Sequence, residues 1–119
     1  DRFCYVGAYG KTTGNRVSGD AYQFGIRGQS GYFLLRRTAN ATSRNSLDIK
    51  QLPCNSFFDN YEKGNTIRLS ITAITDDTGV NVICKATYEG QTKVIFNYRD
   101  ASDGRYTCGM PGFGLQQEN

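Results

Sequence analysis

The chain contains no histidine and no tryptophan, and only two prolines. It also lacks any apolar run near the ~20 residues that a membrane-crossing helix needs. Without histidine, the commonest general base and the commonest zinc ligand are both missing. Ser–His and Cys–His nucleophile systems are therefore excluded. An immunoglobulin-like sandwich stays open, but it would prefer a buried tryptophan beside its disulfide. Net charge is small as well. Fourteen Lys and Arg against eleven Asp and Glu leave a net +3, too mild to imply a nucleic-acid partner. With so little proline, tight turns must be built on Gly, Asn and Asp.

What is present is a β-rich chain of 119 residues with four cysteines, Cys4, Cys54, Cys84 and Cys108. That length fits one domain, residues 1–119, able to bury a core of its own. An even cysteine count in a short β-rich chain points to disulfides and to an exported protein. No Cys-x-x-Cys occurs, which argues against a metal site. Three pairings are open. Cys84–Cys108 with Cys4–Cys54 is favoured, because the first joins two late segments expected to be neighbours. The chain begins at Asp1 with no visible signal peptide, so it reads as a processed chain or as part of a longer one.

Alternation with period two recurs along the chain. Phe3, Tyr5 and Tyr9 share one parity, as do Tyr22, Phe24 and Ile26. Phe33 and Leu35 alternate with Tyr32, Leu34 and Arg36, so both faces of that strand are partly apolar. Leu47 and Ile49 alternate with Asp48 and Lys50. The pattern is clearest where Ile67, Leu69, Ile71 and Ala73 oppose Arg68, Ser70 and Thr72. Val80, Val82, Cys84, Ala86 and Tyr88 oppose Asn81, Lys85 and Glu89. Val94, Phe96 and Tyr98 oppose Lys93, Asn97 and Arg99. A last short strand falls at Tyr106–Cys108 or Gly112–Leu115. Turns are expected at Asp76–Gly79, Glu89–Gln91 and Asp100–Gly104. Only Ser56–Lys63 has helical spacing, through Phe57, Phe58 and Tyr61. Many short strands at regular spacing predict an all-β, antiparallel, two-sheet sandwich of jelly-roll type, closed by disulfides.

Thr66–Ile71, then Val80–Cys84, the Glu89-Gly90 turn, Val94–Asp100 and Gly109-Met110-Pro111-Gly112-Phe113-Gly114 follow one another in a recognisable order. With Phe24–Arg27 and Gly31–Leu35 upstream, this order resembles the laminin-G or concanavalin-A-like jelly roll of many carbohydrate-binding modules. The resemblance covers residues 21–115 and rests on pattern. It implies a glycan-binding or adhesive module. The family's calcium and sugar residues sit on variable rim loops, so none carries over by position. The N-terminal strands here are compressed into about twenty residues, and the four cysteines are not a family signature.

Candidate site residues follow from the same alternation. Arg27, Arg36, Arg68, Lys85, Lys93 and Arg99 fall opposite the apolar parity of their strands. Together they would form a cationic stripe for sulfated or carboxylated glycans, which Arg suits by pairing two oxygens at once. Solubility and edge protection are the more ordinary account of such cations, and two sheets have two outer faces, so the six need not be neighbours. Tyr32, Tyr98 and the aromatics near Phe57–Tyr61 would offer rings to sugar faces. Phe24, Phe33, Phe96 and Phe113 are assigned to packing. Asn40-Ala41-Thr42 is an acceptor sequon for N-glycosylation in a polar loop. Calcium would suit the acidic turns Asp76-Asp77 and Asp100–Gly104, but neither matches the EF-hand loop, and no cofactor is expected. Strand acids are few, Asp48 and Glu89 among them, so a paired-carboxylate hydrolase is not expected either.

The expectation is a secreted, non-catalytic module that binds an extracellular glycan or polysaccharide, anionic ones included. It has no membrane span and no nucleic-acid partner. The rival is a structural subunit that self-associates into an extracellular fibre or coat, through strand addition at open sheet edges.

Overall fold

The computed structural model describes residues 2–13, 16–17, 20–27, 31–37, 47–52 and 66–117. Asn40, Cys54 and the Ser56–Lys63 segment lie outside the described residues. Ten strands follow in order: β1 (Arg2–Gly10), β2 (Thr12–Thr13), β3 (Arg16–Val17), β4 (Ala21–Arg27), β5 (Gly31–Arg37), β6 (Leu47–Leu52), β7 (Ile67–Thr75), β8 (Val80–Tyr88), β9 (Gln91–Asp100) and β10 (Met110–Gln117). No helix occurs among the described residues, so none there is long and apolar enough to cross a membrane.

Two antiparallel sheets carry the fold. The larger has the order β10-β1-β4-β5-β6 and the smaller β7-β8-β9, while β2 and β3 form a separate short ribbon. The two layers meet through alternate side chains. Tyr22, Phe24, Tyr32 and Leu34 from the larger sheet pack on Val80, Val82, Cys84 and Phe96 from the smaller one. Such interdigitation is what period-two patterning produces when two sheets stack. The all-β, two-sheet expectation holds. So does the reading of β5 as apolar on both faces, since Tyr32, Phe33 and Leu34 are all buried.

The turn residues do what their chemistry requires. Asp76 Oδ1 accepts hydrogen bonds from the backbone N–H of Thr78 (2.9 Å) and of Gly79 (3.0 Å), which closes the β7–β8 turn. The β8–β9 hairpin turns through Glu89 (φ 49°) and Gly90 (φ 79°), the paired positive φ values that match the twist of its strands.

Two bulges break the alternation. In β1 the register with β10 shifts between Gly7 and Gly10, and Tyr9 takes φ 57°. Val6 therefore faces the core beside Phe24, and Tyr5 turns to the opposite face, over Gly114. The shared parity read for Phe3, Tyr5 and Tyr9 is lost, because the extra residue re-aims Tyr9 inward. In the second bulge Cys84 pairs with Phe96 but Lys85 pairs with Val94. Ile95 is the inserted residue. Phe96 and Tyr98 keep the inward face, whereas Val94 turns outward and Lys93 moves to the Ala86 side. The last strand is Met110–Gln117, and Tyr106 instead anchors the loop before it, buried against the core.

That loop enters β10 through Gly109, at φ 149°. A Cβ there would lie 2.5 Å from the Tyr9 carbonyl carbon and 2.6 Å from the Gly10 oxygen. Gly109→Ala is expected to destabilise the domain by about 1–3 kcal/mol, through strain and overpacking together. Urea denaturation measures this, and an unchanged midpoint would contradict the close approach.

Candidate functional site

The sandwich positions three groups of polar side chains. The first is a buried junction between the sheets. Asp100, at the end of β9, accepts from Tyr22 Oη (2.6 Å) and from Arg36 Nη1 (2.7 Å). Its other oxygen accepts from Ser102 N (3.0 Å) and Ser102 Oγ (2.6 Å). Arg36 also donates to Ser102 Oγ. Tyr22 Oη in turn accepts from the Tyr106 N–H (3.2 Å), and Tyr106 donates to the Arg37 carbonyl. Burial opposes charge on Asp100, but the bonds from Ser102, Tyr22 and Arg36 outweigh it and hold the carboxyl below its usual range. Burial, reinforced by the bond to Asp100, pushes the Tyr22 hydroxyl far up and keeps it protonated. Tyr22 Oη, Tyr106 Oη, Ser102 and Arg36 Nη1 all donate to acceptors inside the junction, while Arg36 Nε is buried without a hydrogen-bond partner. The group is a clasp between β4, β5 and β9.

The second group lies on the surface. Arg99 grips Asp76 with both nitrogens, Nη1 to Oδ2 at 3.0 Å and Nη2 to Oδ1 at 2.8 Å. It also donates to Asn81 Oδ1 (3.0 Å) and Thr78 Oγ1 (2.6 Å). The Arg99 guanidinium holds the Asp76 carboxyl well below the usual range, and the Thr78 N–H adds to this. Asp76 and Asp100, two of the four carboxylates in the turns considered for calcium, thus spend their oxygens on protein donors. Among the described residues no group of three or more His, Cys, Asp or Glu could hold a metal ion.

The third group is the outer face of the smaller sheet. Arg68, Ser70 and Thr72 on β7, Lys85 on β8 and Thr92 and Asn97 on β9 are all exposed. Arg68 pairs in register with Thr87, and Ser70 with Lys85, so the two cations are diagonal neighbours, roughly 7–8 Å apart at the backbone. No strand position on this face is Asp or Glu. Neither Arg68 nor Lys85 is engaged in an ion pair among the described residues. Thr87 and Thr92 share a hydrogen bond across the strands (2.8 Å).

Of the eight side chains singled out for ligand contact, only Arg68 and Lys85 lie together as open cations. Tyr32 is fully buried, its ring stacked on Phe24 at 6.1 Å. Arg36 is buried because it shares the inward parity of Tyr32 and Leu34. Tyr98 packs against the core. Arg99 is held by Asp76. The Arg27 guanidinium sits over the Phe33 ring at 5.8 Å, on the larger sheet. Lys93 is exposed but is carried off the cationic face by the β9 bulge. The expected six-residue stripe fails because the cations divide between two sheets and a bulge reverses one of them.

The disulfide expectation is corrected for the described cysteines. Cys4, Cys84 and Cys108 are free thiols. Cys84 lies in the core while Cys108 is exposed, so the favoured Cys84–Cys108 bridge is not formed. Burial pushes the Cys84 thiol far up, which leaves it an inert apolar filler. The clasp around Asp100 was not foreseen from sequence. Its signal was two opposite charges on inward parities, Arg36 after Tyr32 and Leu34, and Asp100 after Phe96 and Tyr98. No family model, curated protein or solved structure matches this chain.

Proposed function

We propose that the domain is a secreted, non-catalytic module that holds an anionic glycan on the outer face of β7, β8 and β9. One observation carries this reading. Arg68 and Lys85 are exposed diagonal neighbours on a face whose strands bear no carboxylate. Two cations with no counter-charge raise the local potential and favour a ligand that supplies sulfate or carboxylate groups. Ser70, Thr72, Thr87, Thr92 and Asn97 surround them with the short donors and acceptors that sugar hydroxyls need. The likeness of residues 21–115 to laminin-G-type modules points the same way, and the sequon at Asn40 agrees with an extracellular site. A binding role also suits a chain without histidine. The rival role, a subunit of an extracellular fibre, needs an open sheet edge, and β10 is one.

A glycan array read at low and high salt, followed by titration with a sulfated polysaccharide, tests this proposal. Arg68→Ala and Lys85→Ala are each expected to weaken binding about tenfold or more, the value of one charge-assisted hydrogen bond. Binding should also fall as salt rises. Silence on every anionic glycan, or full affinity in the double variant, would sink the proposal.

A further inference from the structure

β7 of the smaller sheet packs on β1 and β4, and among the described residues no comparable packing reaches β10. Among the described residues β10 is an edge strand, with β1 as its sole neighbour in the sheet. Phe113 pairs in register with Val6, and Leu115 with Cys4. Directly opposed residues share a face, and Val6 faces the core. Phe113 and Leu115 therefore stand on the core side of the sheet, beyond the covering layer. They are 87% and 85% exposed, with Met110 at 53%. The packing role read for Phe113 from sequence is thus not filled within the domain.

The edge is lightly protected, by Pro111 near its start and by the bulge at Gly7/Gly10 beside it. Met110–Gln117 contains no Lys, Arg, Asp or Glu, the charges that normally keep edges apart. Gly112 and Gly114 alternate with the two apolar residues, and the Tyr5 ring lies over Gly114 so closely that a Cβ there would fall 2.3 Å from it. The strand is backed on one face and apolar on the other.

We infer that β10 is the contact surface for a second copy of this chain, the two β10 strands pairing antiparallel about a twofold axis. An uncharged edge is complementary to itself, without like-charge repulsion. A twofold at Gly114 sets Phe113 of each copy opposite Leu115 of the other. It also keeps both core-side faces on one side, so the four side chains close over each other in the step beside each β7. The larger sheets then run on as one. Phe113, Leu115 and the strand edge amount to an area on the order of 500 Å² per copy, the size of a weak, reversible contact. The contact is apolar, so it is independent of the cationic face and of the glycan proposal.

Sedimentation equilibrium of the whole chain over a dilution series tests the inference. Wild type is expected to show a reversible monomer–dimer equilibrium that salt does not weaken. Phe113→Lys with Leu115→Lys should weaken association by about a hundredfold or more. Circular dichroism should be unchanged, because both sites are wet in the monomer. If the double variant fails to fold, Leu115→Lys alone carries the test. Ile74→Lys, a charge at another exposed apolar site (52%), should leave the dimer intact. The inference is overturned by a wild type that stays monomeric at its highest soluble concentration. Open-ended polymers, or a dimer that survives both β10 substitutions, overturn it equally.

Discussion

Asp100→Ala is expected to destabilise the domain by about 3–5 kcal/mol, the range for breaking a buried ion pair from one side. The loss exceeds that of one hydrogen bond because of what stays behind. Arg36, itself buried, keeps a full charge with its carboxylate partner gone. Tyr22 loses its acceptor at the same time, and Ser102 loses two bonds to the carboxylate. For a domain of this size the midpoint of thermal unfolding should fall by upwards of about 10 °C. Arg36→Met combined with Asp100→Leu should be less damaging than Asp100→Ala alone, since it removes both charges together. A loss under about 1 kcal/mol in urea denaturation would mean that water reaches the junction.

The same clasp sets the dependence on pH. Asp100 has a depressed pKa in the folded domain. Its stabilisation is therefore present above the unfolded value, about 3.9. It is lost as pH falls through the lower folded value. Tyr22 behaves oppositely. Its raised pKa gives stability that is whole below the unfolded value, about 10, and declines as pH climbs past it. Asp100→Asn should flatten the acid limb of a stability–pH profile, and Tyr22→Phe the alkaline limb.

Where the chain keeps strict alternation and one face meets a core, sequence and structure agree. β7 is the clearest instance: Ile67, Leu69, Ile71 and Ala73 turn inward and Arg68, Ser70 and Thr72 outward. The hairpin at Glu89-Gly90 was equally legible through Gly90, because positive φ favours glycine, although Glu89 also takes φ 49°. Legibility ends at the bulges. A bulge inserts a residue without changing composition, so nothing near Ile95 announces that Val94 and Phe96 part company. Arg36 escaped for a different reason. Both faces of β5 are apolar, so parity alone could not say which one carried the charge. Phe113 looked like core because hydrophobicity was read without the width of the opposing sheet. For the candidate site, Arg68 and Lys85 were legible because β7 and β8 up to Cys84 are unbroken. Of the remaining six, Arg99 was taken by Asp76 across the β7–β8 turn, and the others depended on which sheet or face they joined, or on the bulge.

Phe96→Ala against Val94→Ala tests that reading of β9 most directly, because strict alternation treats the two positions alike. Phe96 is 1% exposed and meets Phe24 of the opposite sheet edge-to-face, at 5.9 Å and 88°. Phe24 in turn stacks on Tyr32, so removing the Phe96 ring opens a cavity between layers that cannot collapse without moving both. The expected loss is about 3–5 kcal/mol, of which edge-to-face geometry supplies roughly 0.5–1.5 kcal/mol. Phe96→Leu refills most of the volume and should lose far less. Val94 is 48% exposed on the outer face, and its truncation should stay within about 0.5 kcal/mol of wild type. Equal losses at the two positions in urea denaturation would mean that β9 alternates without a bulge. Lys93 would then return to the outer face beside Lys85, and the cationic surface would be larger than Arg68 and Lys85 alone.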